Sequence, residues 1–232
     1  MNDDVSCLPR PRYFSPAWKA DPEGPLCIGG ALEPELLLDA YRHGIFPWPR
    51  DDQSPLSWWS PDPRAVIEFD NFHVPRRLAR TIRSKRFLAT CDRDFSGVIR
   101  GCAGEHSRYS PTWITPNMVA AYERLHQMGY AHSIEVWQNE RLVAGTYGVS
   151  IGGLFAAESM FHRITDASKV ALVHLANHLQ ARGYKLLDVQ QWTAHTGRFG
   201  AIEIPRSQYL QRLAAVVDLP VTFGQRLEVI SN

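Results

Sequence analysis

Residues 133–161 read SIEVWQ, NE, RLVAGTYGVSI, GG and LFAAESMF in succession. The three longer runs alternate with period two and are rich in β-branched and aromatic residues, as strands are. Links of two residues force antiparallel hairpins, because a parallel return needs a far longer crossover. Nothing else in the chain limits its fold as much. Two helical patterns flank this meander. TPNMVAAYERLHQMG (115–129) has Thr115 as cap, Pro116 at the first position and Gly129 as stop, with Met118, Tyr122 and Leu125 on its buried face. SKVALVHLANHLQARG (168–183) opens at Thr165 or Asp166 and ends at Gly183, with Leu172, Leu175, Ala176 and Leu179 as its core stripe.

A strand, KLLDVQQW (185–192), and a last helix, SQYLQRLAAVV (207–217), follow. Three antiparallel strands, a helix, a strand and a helix make an α+β layer, a mixed sheet flanked by helices. That order resembles the N-acetyltransferase (GNAT) fold. There the cofactor's pyrophosphate sits on the loop before the long helix. Here that loop is HRITDAS, and Asp166 stands where a glycine is expected and would repel a phosphate. Upstream, EPELLLDAYRHG (33–44) is a short helix, and IFPWPRDDQSPLSWWSPDPR (45–64) is an ordered loop dense in proline and tryptophan. A boundary near Pro61–Pro63 divides a small N-terminal domain, 1–62, from a larger domain, 63–232.

The totals exclude several classes. Apolar residues are 44% and charged residues 21%, so a packed core is expected and disorder is not. No apolar run reaches the roughly 18 residues of a membrane helix, and no secretory signal opens the chain. Cys7, Cys27, Cys91 and Cys102 show no metal spacing and read as free thiols in a reducing cytoplasm. His132, His162, His174 and His195 lack metal spacing too; no metal and no cofactor is expected.

Two polar features stand out. Glu158 and Ser159 interrupt the apolar run LFAAESMF, and Asp188 and Gln190 interrupt LLDVQQW. Strand alternation places Asp188 and Gln190 on one face, and Glu158 on the same face as Ala156 and Met160. Any one of these alone reads as hydrogen-bonded glue. Three together on an apolar wall cost several kcal/mol unless compensated, and a cationic amine would compensate. The second feature is RRLARTIRSKR (76–86), with Arg76, Arg77, Arg80, Arg83, Lys85 and Arg86 and no acid, in a chain whose net charge is +1. Arg76, Arg80 and Arg83 form a stripe opposite Leu78 and Ile82. Such a stripe suits a phosphate backbone. Loop tryptophans such as Trp48 and Trp113 can offer stacking faces to bases, whereas Trp58 and Trp59 read as core.

GIFPW (44–48), WWSPDPRAV (58–66), TWIT (112–115), AYERLHQMGYAHSIEVW (121–137), ESMF (158–161), ASKVAL (167–172) and EIPR (203–206) occur in this order. In these motifs, over most of its length, the chain closely resembles the bacterial leucyl/phenylalanyl-tRNA–protein transferases. The resemblance implies a small N-terminal domain before a GNAT-like catalytic domain, and no coenzyme A. It implies transfer of leucine or phenylalanine, with methionine as a further candidate, from aminoacyl-tRNA to proteins beginning with Arg or Lys. The product is marked for N-end-rule degradation. The implied enzyme is a cytoplasmic monomer. Carried over by position, the catalytic residues are Asp188, Gln190 and Glu158. Trp48 and Trp113 hold the terminal adenosine, and Phe155, Met160, Leu172, Leu175 and Leu187 line the amino-acid pocket. Arg76, Arg77, Arg80, Arg83, Lys85 and Arg86 face the tRNA. Thr146 stands where the family has a bulky apolar pocket residue, and Arg198–Phe199 replace Ser-Leu. The rival readings are an acetyl-CoA-dependent N-acetyltransferase, which HRITDAS disfavours, and a non-catalytic RNA-binding module, which the three convergent polar residues disfavour.

Overall fold

The computed structural model describes residues 8–104 and 112–228. Cys7 lies outside them; Cys27 and Cys91 are free thiols. The meander is present as β6 (Ala131–Gln138), β7 (Arg141–Ile151) and β8 (Leu154–His162), paired antiparallel in sequence. After β8 comes α5 (Ala167–Arg182), then β9 (Leu186–Gln190), which joins β8 in parallel. Three short strands, β4 (Arg64–Ile67), β5 (Leu88–Cys91) and β10 (Ala201–Ile204), extend this into one sheet of order β10-β4-β9-β8-β7-β6-β5. Every neighbouring pair except β8–β9 is antiparallel. The expected mixed sheet flanked by helices is therefore present.

Each face of the sheet has its own core. On one side pack α1 (Pro34–Arg42), α3 (Phe95–Gly104), α4 (Pro116–Gln127) and α7 (Arg206–Val216), around Val66, Tyr147, Ala156 and Leu186. In α4 the Thr115 hydroxyl accepts from the Met118 N–H, and Met118, Ala121, Tyr122 and Leu125 form the buried stripe. On the other side α5 covers Ile134, Phe155 and Leu187, and Leu78 of α2 (Arg76–Arg83) joins it. Asp166 opens α5 at φ +71, a conformation that glycine takes most easily. Its carboxylate is held by Lys169 at 2.7 Å.

The sequence-based reading needs two corrections. Residues 45–64 are more than loop. β3 (Ser57–Trp59) pairs with β1 (Cys27–Ile28) on one side and with β2 (Phe46–Pro47) on the other, in a small sheet of order β1-β3-β2. Pro47 is tolerated because β2 is an edge strand. The second correction concerns the faces of β8. Ser159 pairs with Tyr147 and Ala157 with Gly148, which leaves Glu158 as the extra residue of a β-bulge. Beyond it alternation is reset, so Met160 packs with the α5 side and not with Ala156.

Candidate active site

Asp188 lies in the middle of the sheet, fully buried. Its Oδ1 accepts from Arg64 Nε (2.9 Å) and from the Gln190 N–H (2.8 Å). Its Oδ2 accepts from Arg64 Nη2 (2.6 Å) and the Tyr209 hydroxyl (2.8 Å). These bonds fill the roughly four lone-pair sites of a carboxylate. Arg64 is equally enclosed: Nη1 donates to the Gly44 carbonyl, and the guanidinium lies 4.8 Å from the Phe46 ring centroid and 4.5 Å from that of Tyr209. Burial alone lowers the Arg64 pKa, but the facing Asp188 outweighs it and carries the value above the ordinary one.

β9 ends in a second bulge. Ala65 pairs with Gln190 and Val66 with Asp188, so Val189 has no partner in β4, and Gln190 sits at φ +63. The pairing of β8 with β9 stops at Ala156 and Asp188. Past that point the Gln190 side chain reaches across, and its Nε2 donates to Glu158 Oε1 at 2.7 Å. The Gln190 carbonyl accepts nothing among the described residues. Glu158 Oε2 accepts from the Tyr122 hydroxyl at 3.2 Å, and Tyr122 and Tyr41 share a hydrogen bond between their hydroxyls.

The Glu158 carboxyl is pushed up to about 7, chiefly by burial, against the hydrogen bonds from Tyr41 and Tyr122. Burial likewise raises the hydroxyls of Tyr41, Tyr122 and Tyr209 well above the phenol range, so they stay protonated donors. The buried hydroxyl of Tyr147, its ring edge-on to that of Tyr122, has no partner among the described residues.

Glu158, Asp188 and Gln190 thus form one hydrogen-bonded group. Trp48 and Trp113 pack half-buried against the core that contains Tyr41 and Tyr122, Trp48 edge-on to Trp59 at 5.7 Å. Phe155, Leu172, Leu175 and Leu187 are sealed between the sheet and α5. Half-buried Met160 borders them, and Thr146, paired with Met160, donates to the Ser159 carbonyl at 3.0 Å. Arg76, Arg77, Arg80, Arg83, Lys85 and Arg86 are all exposed, and none is in an ion pair among the described residues. Lys169 first, then Arg77 and Arg86, hold the Asp166 carboxyl below its ordinary range.

Arg64, Tyr209, Tyr122 and Tyr41 were missed as site residues. Only the presence of Arg64 in WWSPDPRAV hinted at one of them, since a helical stripe shows Tyr122 as core and says nothing of its hydroxyl. Among the described residues one group has metal-ligating types: Asp92, His126 and His132 offer atoms within 4.8 Å of one another. Their hydrogen bonds account for them, His132 Nδ1 with Asp92 at 2.7 Å and His126 Nδ1 with the Ala131 carbonyl at 2.8 Å.

Residues 66–214 match the family model for leucyl/phenylalanyl-tRNA protein transferase, and residues 30–62 match that for its N-terminal domain. The chain belongs to the leucyl/phenylalanyl-tRNA protein transferase family. Relatives of that name include one from Solidesulfovibrio magneticus, 53% identical over 84% of this chain and 79% of its own length. Another, from Anaeromyxobacter sp. strain Fw109-5, is 49% identical over 94% of this chain and 93% of its own. Among solved structures, a GCN5-related N-acetyltransferase from Kribbella flavida is similar over 75% of this chain and 61% of that one, at 12% identity and a TM-score of 0.40. Among the described residues no helix is long and apolar enough to cross a membrane.

Proposed function

We propose that this chain transfers leucine or phenylalanine, and methionine as a further donor residue, from aminoacyl-tRNA to the α-amine of proteins that begin with Arg or Lys. The extended proteins become substrates for N-end-rule degradation. The enzyme acts as a cytoplasmic monomer. The observation that carries this reading, beside family membership, is the Gln190–Glu158 hydrogen bond with the Gln190 carbonyl left open. That carbonyl accepts a hydrogen bond from the incoming amine, while Glu158 holds the amide in place. The donor ester is already activated, so holding both substrates together supplies much of the acceleration, up to about 7–11 kcal/mol in favourable cases.

Glu158 suits the role of proton acceptor. A carboxyl at about 7 lies close to an α-amine, whose ordinary value is about 7.7–8.0. Asp188 has no acceptor site left, and its work is to position the Gln190 backbone and to neutralise Arg64. In the same reading Trp48 and Trp113 hold the terminal adenosine. Phe155, Met160, Leu172, Leu175, Leu187 and Thr146 receive the amino-acid side chain. The helix from Arg76 to Arg83, with Lys85 and Arg86, tracks the tRNA phosphates. Incubation with Leu-tRNA, Phe-tRNA and a peptide beginning with Arg should lengthen the peptide by one residue. Failure to extend it with either donor overturns the reading.

A further inference from the structure

The stretch EIPR (203–206) is explained by the fold except at its first residue. Ile204 is core, and Pro205 precedes the first turn of α7. Arg206 donates to the Ala20 carbonyl at 2.7 Å and to the Ser60 carbonyl, and its N–H donates to Asp62. Glu203 is exposed and has no hydrogen bond or ion pair among the described residues.

Its place in the sheet is informative. Glu203 pairs with Ala65 across β10 and β4, and Ala65 pairs with Gln190 across β4 and β9. Strands stand about 4.8 Å apart, so the Cα of Glu203 lies roughly 10 Å from that of Gln190. The next pair but one, Ala201 with Ile67, belongs to the core on the α5 side. Glu203 therefore points to that side too, where the crossover from β9 to β10 runs through Trp192 and α6 (Ala194–Gly197). Trp192 is two residues beyond Gln190 and 48% exposed. Its ring lies against Gly197, where an added Cβ would stand 2.6 Å from Cζ2. The reciprocal capping bonds of Thr193 and Thr196 fix that turn. One face of the indole is thus pinned at the end of the strand that carries Gln190, and the unpaired carboxylate of Glu203 stands on the Gln190 row two strands away.

We propose that Glu203 and Trp192 form the subsite for the cationic side chain of the acceptor's first residue. The proposal rests on the reading above, in which the acceptor's α-amine sits at Gln190. An extended Arg or Lys side chain carries its charge roughly 6–7 Å from its Cα, which spans most of the distance to Glu203. The carboxylate pairs with the cation, and the indole face attracts it through its quadrupole. Glu158 cannot fill this role, because it is buried, bonded to Gln190 and Tyr122, and engaged with the α-amine. One carboxylate then serves the reacting nitrogen and another reads the side chain, which explains how a single reaction can demand a charge that takes no part in it.

The test compares acceptor peptides whose first residue is arginine or citrulline, its neutral isostere. Glu203→Gln should raise KM for the arginine peptide about three- to tenfold, with kcat and donor KM retained and the citrulline peptide unaffected. Trp192→Ala should do the same for arginine and lysine peptides, and Trp192→Phe should restore most of the loss. Gly197→Ala, which displaces the indole without removing it, should resemble Trp192→Ala. An unchanged arginine-to-citrulline ratio in Glu203→Gln, or a defect confined to donor KM, overturns the subsite. Calorimetric binding of the arginine peptide to the protein separates the two ideas. Glu203-dependent binding without transfer by the wild type sinks the transfer reading and keeps the subsite. Transfer with binding indifferent to Glu203 does the reverse.

Discussion

Gln190 donates to Glu158 at 2.7 Å across the point where β8 and β9 stop pairing. The bond ties together positions at two β-bulges, and on the proposed function it makes the protonation of one buried carboxyl the variable on which the site turns.

That carboxyl is pushed up to about 7 by burial. It is therefore mostly neutral at about pH 6 and mostly ionised at about pH 8. If ionised Glu158 receives the proton, kcat/KM for the acceptor should rise through pH 7 in the wild type. Glu158→Gln should be slower and keep only the limb of the acceptor amine, near about pH 8. A wild-type profile in the variant would remove Glu158 from proton transfer.

The same shift bears on stability. A carboxyl raised in the fold from 4.5 to about 7 favours folding when protonated. Its contribution is complete below the unfolded value and is lost as pH rises through the folded one. Glu158→Gln should thus match the wild type in stability at acid pH and exceed it at pH 8, by up to about 3 kcal/mol, seen as a higher Tm at pH 8. Equal Tm values at both pH values would mean that the site is wetter than the structure places it.

Asp188→Asn should lower both turnover and Tm. The substitution leaves the buried Arg64 cation without its counter-charge, a loss of about 3–5 kcal/mol in comparable buried pairs. On the proposed division of roles, in which Asp188 holds the Gln190 backbone and Glu158 takes the proton, the residual activity should keep the Glu158-dependent pH limb. Disappearance of that limb would return the proton to Asp188.

Arg80→Glu combined with Arg83→Glu should leave Tm nearly unchanged, because both side chains are exposed and unpaired. tRNA affinity should fall strongly at low salt and less at high salt, with the slope of log K against log salt shallower by about 1–2. The loss should be similar for tRNAs of different sequence, as phosphate contacts do not read bases. Unchanged affinity at low salt would reduce the stripe to a solvated face.

Thr146→Leu should move the Leu/Phe ratio of kcat/KM toward leucine by filling the wall next to Met160. A methylene or two is worth about 1–3 kcal/mol of discrimination. The donor class should not change. A fixed ratio would take Thr146 out of the pocket.

Much of this was legible in the sequence wherever local pattern and tertiary role agree. The hairpins at 139–140 and 152–153, the cap at Thr115 and the stop at Gly183 all declare themselves through turn and capping chemistry. Glu158, Asp188 and Gln190 drew notice as polar residues in apolar runs. Strict alternation, however, cannot announce a bulge, so Met160 was placed on the wrong face of β8. The pairing of Arg64 with Asp188 joins residues 124 positions apart, and no window along the chain contains both. β4 and β10 are four residues each, too short to show a period, and they exist as strands because β9 gives β4, and β4 gives β10, an edge to join. Gln190 also holds a left-handed backbone, at φ +63, which a residue of its type seldom adopts and composition does not foretell.

The hydroxyls of Tyr41 and Tyr122 meet although they come from opposite sides of the proline-rich stretch at 61–63. Leu37, Tyr41 and Ile45 share one core with Tyr122, Tyr147 and Leu210. The segment before that stretch is consequently packed into the same core as Tyr122 and is not a detachable adaptor. A chimera that takes it from one relative and the remainder from another inherits a seam through that core. Such hybrids should succeed according to how well the residues around Tyr41 and Tyr122 match across that seam, whatever the quality of the peptide joint.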